Sequence, residues 1–98
     1  MYIYVAHQFG GKSENYEAAK RITHDLQISD KENTYLCPLM TFSHIAYNEI
    51  GYDDEMELCF DLLCLCDKLL VVGKISEGVS REIELAERLH LEVEYIDE

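Results

Sequence analysis

Basic residues are scarce in this chain: eight lysines and arginines stand against 20 aspartates and glutamates, a formal net charge of −12. That balance excludes a phosphate-backbone partner, because nucleic-acid binders present basic patches. It also disfavours an anionic membrane surface. A small anionic ligand stays open, since backbone N–H groups at a helix start hold a phosphate without any lysine or arginine. Long apolar runs are absent, so no segment of the sequence is expected to span a bilayer. The start, Met1-Tyr2-Ile3-Tyr4-Val5-Ala6, has no basic region before its short apolar stretch and is not read as a signal peptide. The expected location is the cytoplasm. There is no internal repeat and no low-complexity segment.

Cysteine is also sparse, at four residues: Cys37, Cys59, Cys64 and Cys66. The last three fall in one apolar helical run. Cys59 and Cys66 would lie two turns apart on one face, beyond disulfide reach. A zinc site needs two convergent ligand pairs, and no second pair exists. No metal and no cofactor are expected, and the thiols are read as small buried hydrophobes in a reducing compartment.

What is present is a core. Hydrophobic residues make up 48% of the 98 positions, enough for one small globular domain and too many for a disordered chain. Tyr2 to Ala6 reads as strand one. His7 to Ser13 is a turn carrying Gly10 and Gly11. Asn15 to Leu26 shows helical spacing. Thr34 to Cys37 reads as strand two, stopped by Pro38, the single proline. Leu39 to Tyr52 is aromatic and polar without clean periodicity, a loop with room for one short helix. Glu55 to Cys66 reads as a helix capped by Asp53 or Asp54. It is apolar on most faces, so burial on more than one side is expected, with one side meeting a second subunit. Leu69 to Gly73 is a continuous apolar run, the mark of a central parallel strand. Val79 to His90 is the last helix, and Leu91 to Ile96 an edge strand.

Strands alternating with helices predict an α/β domain: three layers, flavodoxin- or Rossmann-like, with helices on both faces of a mainly parallel sheet. Right-handed crossovers favour the order 2-1-3-4. Ligands bind such sheets beyond the carboxyl ends of the strands, near the switch between strands one and three. Two loops meet there, His7 to Ser13 and Lys74 to Gly78.

The second loop leads to one misplaced carboxylate. At roughly 100° per residue, Val79, Ile83, Leu85, Ala86 and Leu89 share one broad arc, with Arg81, Glu84, Glu87 and Arg88 opposite. Glu82 falls inside the apolar arc. Burying a charge is costly unless it is paired or hydrogen-bonded, so the position reads as a site. The plainer reading is a carboxylate complementing the helix dipole. Gly78 lets the backbone approach a ligand, and Ser76 is either part of an anion grip or a helix cap.

Several elements in order carry a resemblance: Tyr4-Val5-Ala6-His7, Gly10-Gly11, Asn15, Cys37-Pro38-Leu39, Cys66-Asp67, and Ser76-x-Gly78-x-x-x-Glu82-x-x-x-Ala86. Over nearly its whole length the chain resembles the nucleoside 2-deoxyribosyltransferase-like proteins, among them the DUF4406 and DUF7768 families. The resemblance implies that Glu82 attacks the anomeric carbon of a deoxyribose, as in the double displacement of a retaining glycosidase. It implies Tyr4 as the orienting partner of Glu82. It sets Ala6, Asn15 and the Gly10-Gly11 turn, with Ser76 and Gly78, around a nucleoside or nucleotide. Asp67 joins the catalytic candidates at the entrance of strand three.

The chain departs from that pattern at two points. The loop after the third strand, Lys74-Ile75-Ser76-Glu77, lacks the aspartate that protonates or holds the base. An acidic residue eight positions before the strand-entrance aspartate is expected, and the count from Asp67 reaches Cys59. The general acid is therefore open among His7, His44 and Glu77. Simpler roles compete: Tyr4 as a core aromatic, Asn15 as a helix cap, Asp67 bonding local backbone, either histidine merely solvated. Three functions follow from the sequence. The chain is an N-glycosidic hydrolase or transferase, a non-catalytic nucleotide-binding module, or an oligomeric scaffold with a vestigial pocket. At least a dimer is expected, through the helix at 55–66.

Overall fold

The computed structural model describes residues 1–98. In chain order the elements are β1 (Tyr2–Ala6), α1 (Ser13–Ser29), β2 (Thr34–Leu36), α2 (Pro38–Thr41), α3 (Tyr52–Cys64), β3 (Lys68–Val72), α4 (Glu77–Arg88) and β4 (Glu92–Ile96). The strands form one sheet in the order β2-β1-β3-β4. Every neighbouring pair is parallel, with Tyr4 opposite Leu36 on one side and Leu69 on the other. The fold class and strand order expected from the sequence are those observed.

The sheet has two buried faces, and the alternation along β1 shows why its sequence is apolar throughout. Successive side chains of a strand point to opposite faces. Ile3 and Val5 pack with Ala19 of α1, Cys37, Leu70 and Val72. Tyr4 and Ala6 pack the other way, with Leu63 of α3 and with Val79 and Ala86 of α4. Tyr4, Leu63 and Leu69 are wholly enclosed. Each such side chain stabilises the fold by roughly 1.5–3 kcal/mol of apolar burial.

Helix one runs two residues earlier and three later than expected, over Ser13–Ser29, and the last helix is shifted to Glu77–Arg88; three other boundaries differ for clear physical reasons. Strand two ends at Leu36, and Pro38 opens α2 with Cys37 at the N-cap. Proline is suited to a first helical turn, where its missing N–H has no bond to make. The third helix starts at Tyr52, with Gly51 at the N-cap in a positive φ of 90° and no side-chain cap. Asp53 and Asp54 thus sit inside the first turn, where they complement the helix dipole instead of capping it. The same helix ends at Cys64, so Cys66 lies beyond it, its thiol against the Leu62 carbonyl oxygen at 3.4 Å.

The expectation that this helix is apolar on most faces and buried on more than one side is corrected. Its buried residues are Met56, Leu62 and Leu63. Asp54, Glu57 and Asp61 are exposed, and their spacing aligns them along one outer face. The apolar residue most open to solvent nearby is Leu65, just past the helix end, at 70% exposure. All four cysteines are free: Cys37 and Cys66 are buried, Cys59 is half-buried and Cys64 is exposed. No helix is long and apolar enough to cross a membrane.

Candidate functional site

The site begins where β3 runs out. Gly73 turns the chain with a φ of 71°, and the loop reaches Ser76, the N-cap of α4, whose hydroxyl accepts from the Val79 N–H at 3.3 Å. The capping role foreseen for Ser76 is therefore real. One turn later the apolar side of α4 faces the sheet, and Glu82 goes in with Val79 and Ala86. Only 5% of Glu82 is exposed.

Its partner is Tyr4, from the middle of β1. The Tyr4 hydroxyl donates to Oε2 of Glu82 in a buried hydrogen bond. Burial disfavours the charged carboxylate and pushes Glu82 up to about 7, while the bond from Tyr4 pulls in the opposite direction. Tyr4 is held well above its ordinary value, first by burial and then by the negative charge of Glu82. Tyr4 thus keeps its proton and stays a donor. The Cys59 thiol of α3 belongs to the same group. It is pushed up to about 12 by burial, with the charge of Glu82 adding to the effect, so it is not a ready nucleophile.

Beside this group opens a cavity of about 620 Å³ at the carboxyl ends of the strands. That volume falls within the range of small-molecule sites. Glu82 and Cys59 line it from one side, and the loop after β1 from another. Phe9 and Tyr47 form a wall, with ring centroids 5.5 Å apart and planes at 88°. Gly11 has a φ of 74°, and a side chain there would place its Cβ 2.7 Å from the Tyr47 ring. Only glycine lets that ring lie against the turn.

The residues singled out from sequence divide into three groups. Glu82, His7, Gly10, Gly11, Ser76 and Gly78 all line the cavity. Tyr4 does not line it but anchors Glu82 from beneath. Ala6, Asn15, His44 and Asp67 do not line it. Ala6 is fully enclosed in the sheet. Asn15 donates from its side-chain amide to the Phe9 carbonyl at 2.8 Å, which shapes the glycine turn from outside; the N-cap of α1 is Lys12. His44 is exposed and tilts against Phe42 at 6.5 Å between ring centroids. Asp67 lies at the other end of the sheet, where its carboxylate accepts from the Tyr2 N–H at 2.8 Å. The structure therefore does not bring Asp67 or His44 to Glu82.

His7 is buried and its Nδ1 donates to the Gln8 carbonyl at 2.7 Å. Its Nε2 lies 2.9 Å from Oε1 of Glu98, without the alignment of a hydrogen bond. Glu98 is not part of the cavity wall. The sequence reading missed most of the aromatic lining: Phe9, Tyr16, Phe42, Tyr47 and Tyr52. The signal for much of it was the non-periodic, aromatic stretch from Leu39 to Tyr52, since ligand contacts concentrate on loops held by a rigid scaffold. No group of three or more histidine, cysteine or acidic side chains is arranged to hold a metal ion.

Comparison with known families decides the relationship. Residues 1–96 match the family described as domain of unknown function DUF7768. The chain belongs to that family. Neither the curated proteins nor the solved structures gave a match. The family description carries no activity, so the chemistry of this DUF7768 domain has to be argued from the site.

Proposed function

We propose that the protein cleaves the N-glycosidic bond of a nucleoside or nucleotide, with Glu82 as the nucleophile. The observation that carries this reading is a nearly enclosed carboxylate, fixed by the Tyr4 hydroxyl and opening on a cavity large enough for such a ligand. The sequence resemblance to nucleoside 2-deoxyribosyltransferase-like proteins supports the same assignment. A carboxylate oxygen of Glu82 attacks the anomeric carbon as the base departs, and water or a second base then takes the sugar from the ester. Tyr4 holds the attacking group in one orientation. The nucleophile is the ionised form, so turnover rises with pH through about 7.

The test is release of free base from a panel of nucleosides and their monophosphates. Release that falls by ~10³-fold or more in Glu82→Gln supports the assignment. Release that persists in the variant overturns it.

A second reading, a ligand-binding module, is favoured by one observation. The loop between β3 and α4 brings no acidic residue to the cavity, and Glu77, the first residue of α4, is exposed at the rim. Saturable nucleoside binding without base release, retained in Glu82→Gln, would establish this reading in place of the first.

A further inference from the structure

Resting on the N-glycosidic reading above, we propose that the preferred substrate is a nucleoside whose base carries a permanent positive charge. That base leaves without being protonated.

The charge of the lining is the first observation. Three carboxyl groups, those of Glu55, Glu77 and Glu82, face the cavity, and no lysine or arginine does. Glu55 is fixed at the wall, because its Oε1 accepts from the Asn48 N–H at 2.6 Å. A positively charged ring gains from all three groups, and a 5′-phosphate is repelled by them. At the N-terminus of α4 the Val79 N–H is bound to the Ser76 hydroxyl and the Ser80 N–H to the Ser76 carbonyl, so the N–H groups of Glu77 and Gly78 are the ones left to offset that repulsion.

The wall itself is the second observation. Five aromatic rings border a cavity of about 620 Å³, and one of them, Tyr52, already has the Arg81 guanidinium over its ring at 5.5 Å. The face of an aromatic ring attracts a cation through its quadrupole, and four rings remain for a ligand. Aromatic surface alone would suit any base. Combined with carboxylates and a lining without lysine or arginine, it discriminates by charge.

The missing acid is the third, independent observation. An uncharged base departs as an anion unless a group in the site protonates it. Of the sequence candidates, His44 does not reach the cavity. His7 spends its Nδ1 proton on the Gln8 carbonyl, and its buried Nε2 lies 2.9 Å from Oε1 of Glu98, which is outside the cavity wall. Glu77 is exposed at the rim. A cationic base removes the need for an acid. When a Glu82 carboxylate oxygen bonds to the anomeric carbon, the carbon–nitrogen bond breaks. Its electron pair passes to the ring nitrogen, which becomes neutral. Water then attacks the anomeric carbon of the ester. The carbon–oxygen bond to Glu82 breaks, the carboxylate is restored, the sugar keeps the water oxygen and one proton is released to solvent.

The experiment measures kcat/KM for nicotinamide riboside, its 5′-monophosphate and inosine, in the wild-type protein and in Glu82→Gln. Nicotinamide riboside should exceed inosine by about tenfold or more and its own 5′-monophosphate by a similar factor, with all turnover lost in Glu82→Gln. Binding of 1-methylnicotinamide, which carries the charge without a sugar, should be about tenfold tighter than that of nicotinamide, independent of any bond-breaking step. The conservative Glu55→Gln keeps an acceptor for the Asn48 N–H. It should raise KM for nicotinamide riboside severalfold more than it raises that for inosine. Glu82-dependent cleavage of inosine at an equal or greater rate, or equal binding of the two nicotinamides, overturns the inference and leaves the N-glycosidic reading standing. No release from any of these nucleosides overturns both.

Discussion

The two ends of the sheet hold a carboxylate each, in opposite circumstances. At the amino end, Asp67 is exposed and takes the Tyr2 N–H at 2.8 Å, while its own N–H donates to the Tyr2 carbonyl. Both interactions are local backbone ties that fix where β1 and β3 begin to pair. At the carboxyl end, Glu82 is buried, held by one side-chain hydroxyl, and has a cavity beside it. A carboxylate in water with a backbone donor costs little to keep charged. A buried one with a single donor is costly to ionise. The fold tolerates that cost at one end only, and that end has the hollow, the glycine turn and the aromatic loop.

Replacing Glu82 with glutamine tests the contrast most strongly. The unfolded chain releases this proton near the ordinary value of 4.5, and the folded protein near 7. Between those values the folded state binds more protons, so stability falls as pH rises, and the loss is complete above about 7. Glutamine does not titrate. Relative to Glu82→Gln, the wild-type protein should lose roughly 3 kcal/mol between pH 4 and pH 8. Urea unfolding of both proteins across that range reads the difference directly. Parallel stability curves would mean that Glu82 is not held as described.

Tyr4→Phe sharpens the same end. The ring and its packing stay, and only the hydroxyl goes. Because the Tyr4 bond favours the charged carboxylate, its loss should carry Glu82 further above 7. A hydrogen bond to a charged group is worth roughly 1.5–3 kcal/mol, so the variant should be less stable by that amount at pH 8. At pH 5, where the carboxyl is protonated, the difference should shrink to about 1 kcal/mol, the worth of a neutral bond. A titration followed by the NMR signal of the Glu82 carboxyl carbon gives the midpoint. A midpoint that stays at the wild-type position would detach Tyr4 from Glu82.

Much of this geometry could be read from the residues, and the exceptions have causes. Glu82 stood out because helical periodicity is strict: a carboxylate at an inward position is visible before any coordinates exist. The parallel order followed from strand and helix alternation and from the apolar run Leu69 to Val72. Tyr4 reached the page only through the resemblance, since an inward strand tyrosine reads as core, which it also is. The aromatic wall was less visible. Its rings come from the loop after β1, from α1, from the stretch after α2 and from the start of α3, and no local period links positions brought together by a crossover. In the sequence Cys59 reads as a small buried hydrophobe and as the residue standing where the family pattern expects an acid, not as part of the site. Its place beside Tyr4 and Glu82 depends on how α3 packs on the sheet, which no local pattern along the helix reports.

The smaller predictions concern residues that the sequence placed at the site and the structure does not. Asp67→Ala removes one exposed backbone bond and should cost about 1 kcal/mol in urea unfolding. It should leave ligand binding and base release at wild-type levels. His44→Ala should do less still. The ring is exposed and makes only a loose, tilted contact with Phe42, so stability should change by no more than about 0.5 kcal/mol. Phe42 itself borders the cavity, so His44 has one route of influence, through the position of that ring. Nucleoside affinity that drops in His44→Ala with unchanged unfolding would show that His44 acts on the site through the Phe42 ring. Affinity that holds would confine the chemistry to Glu82, its tyrosine and the wall around them.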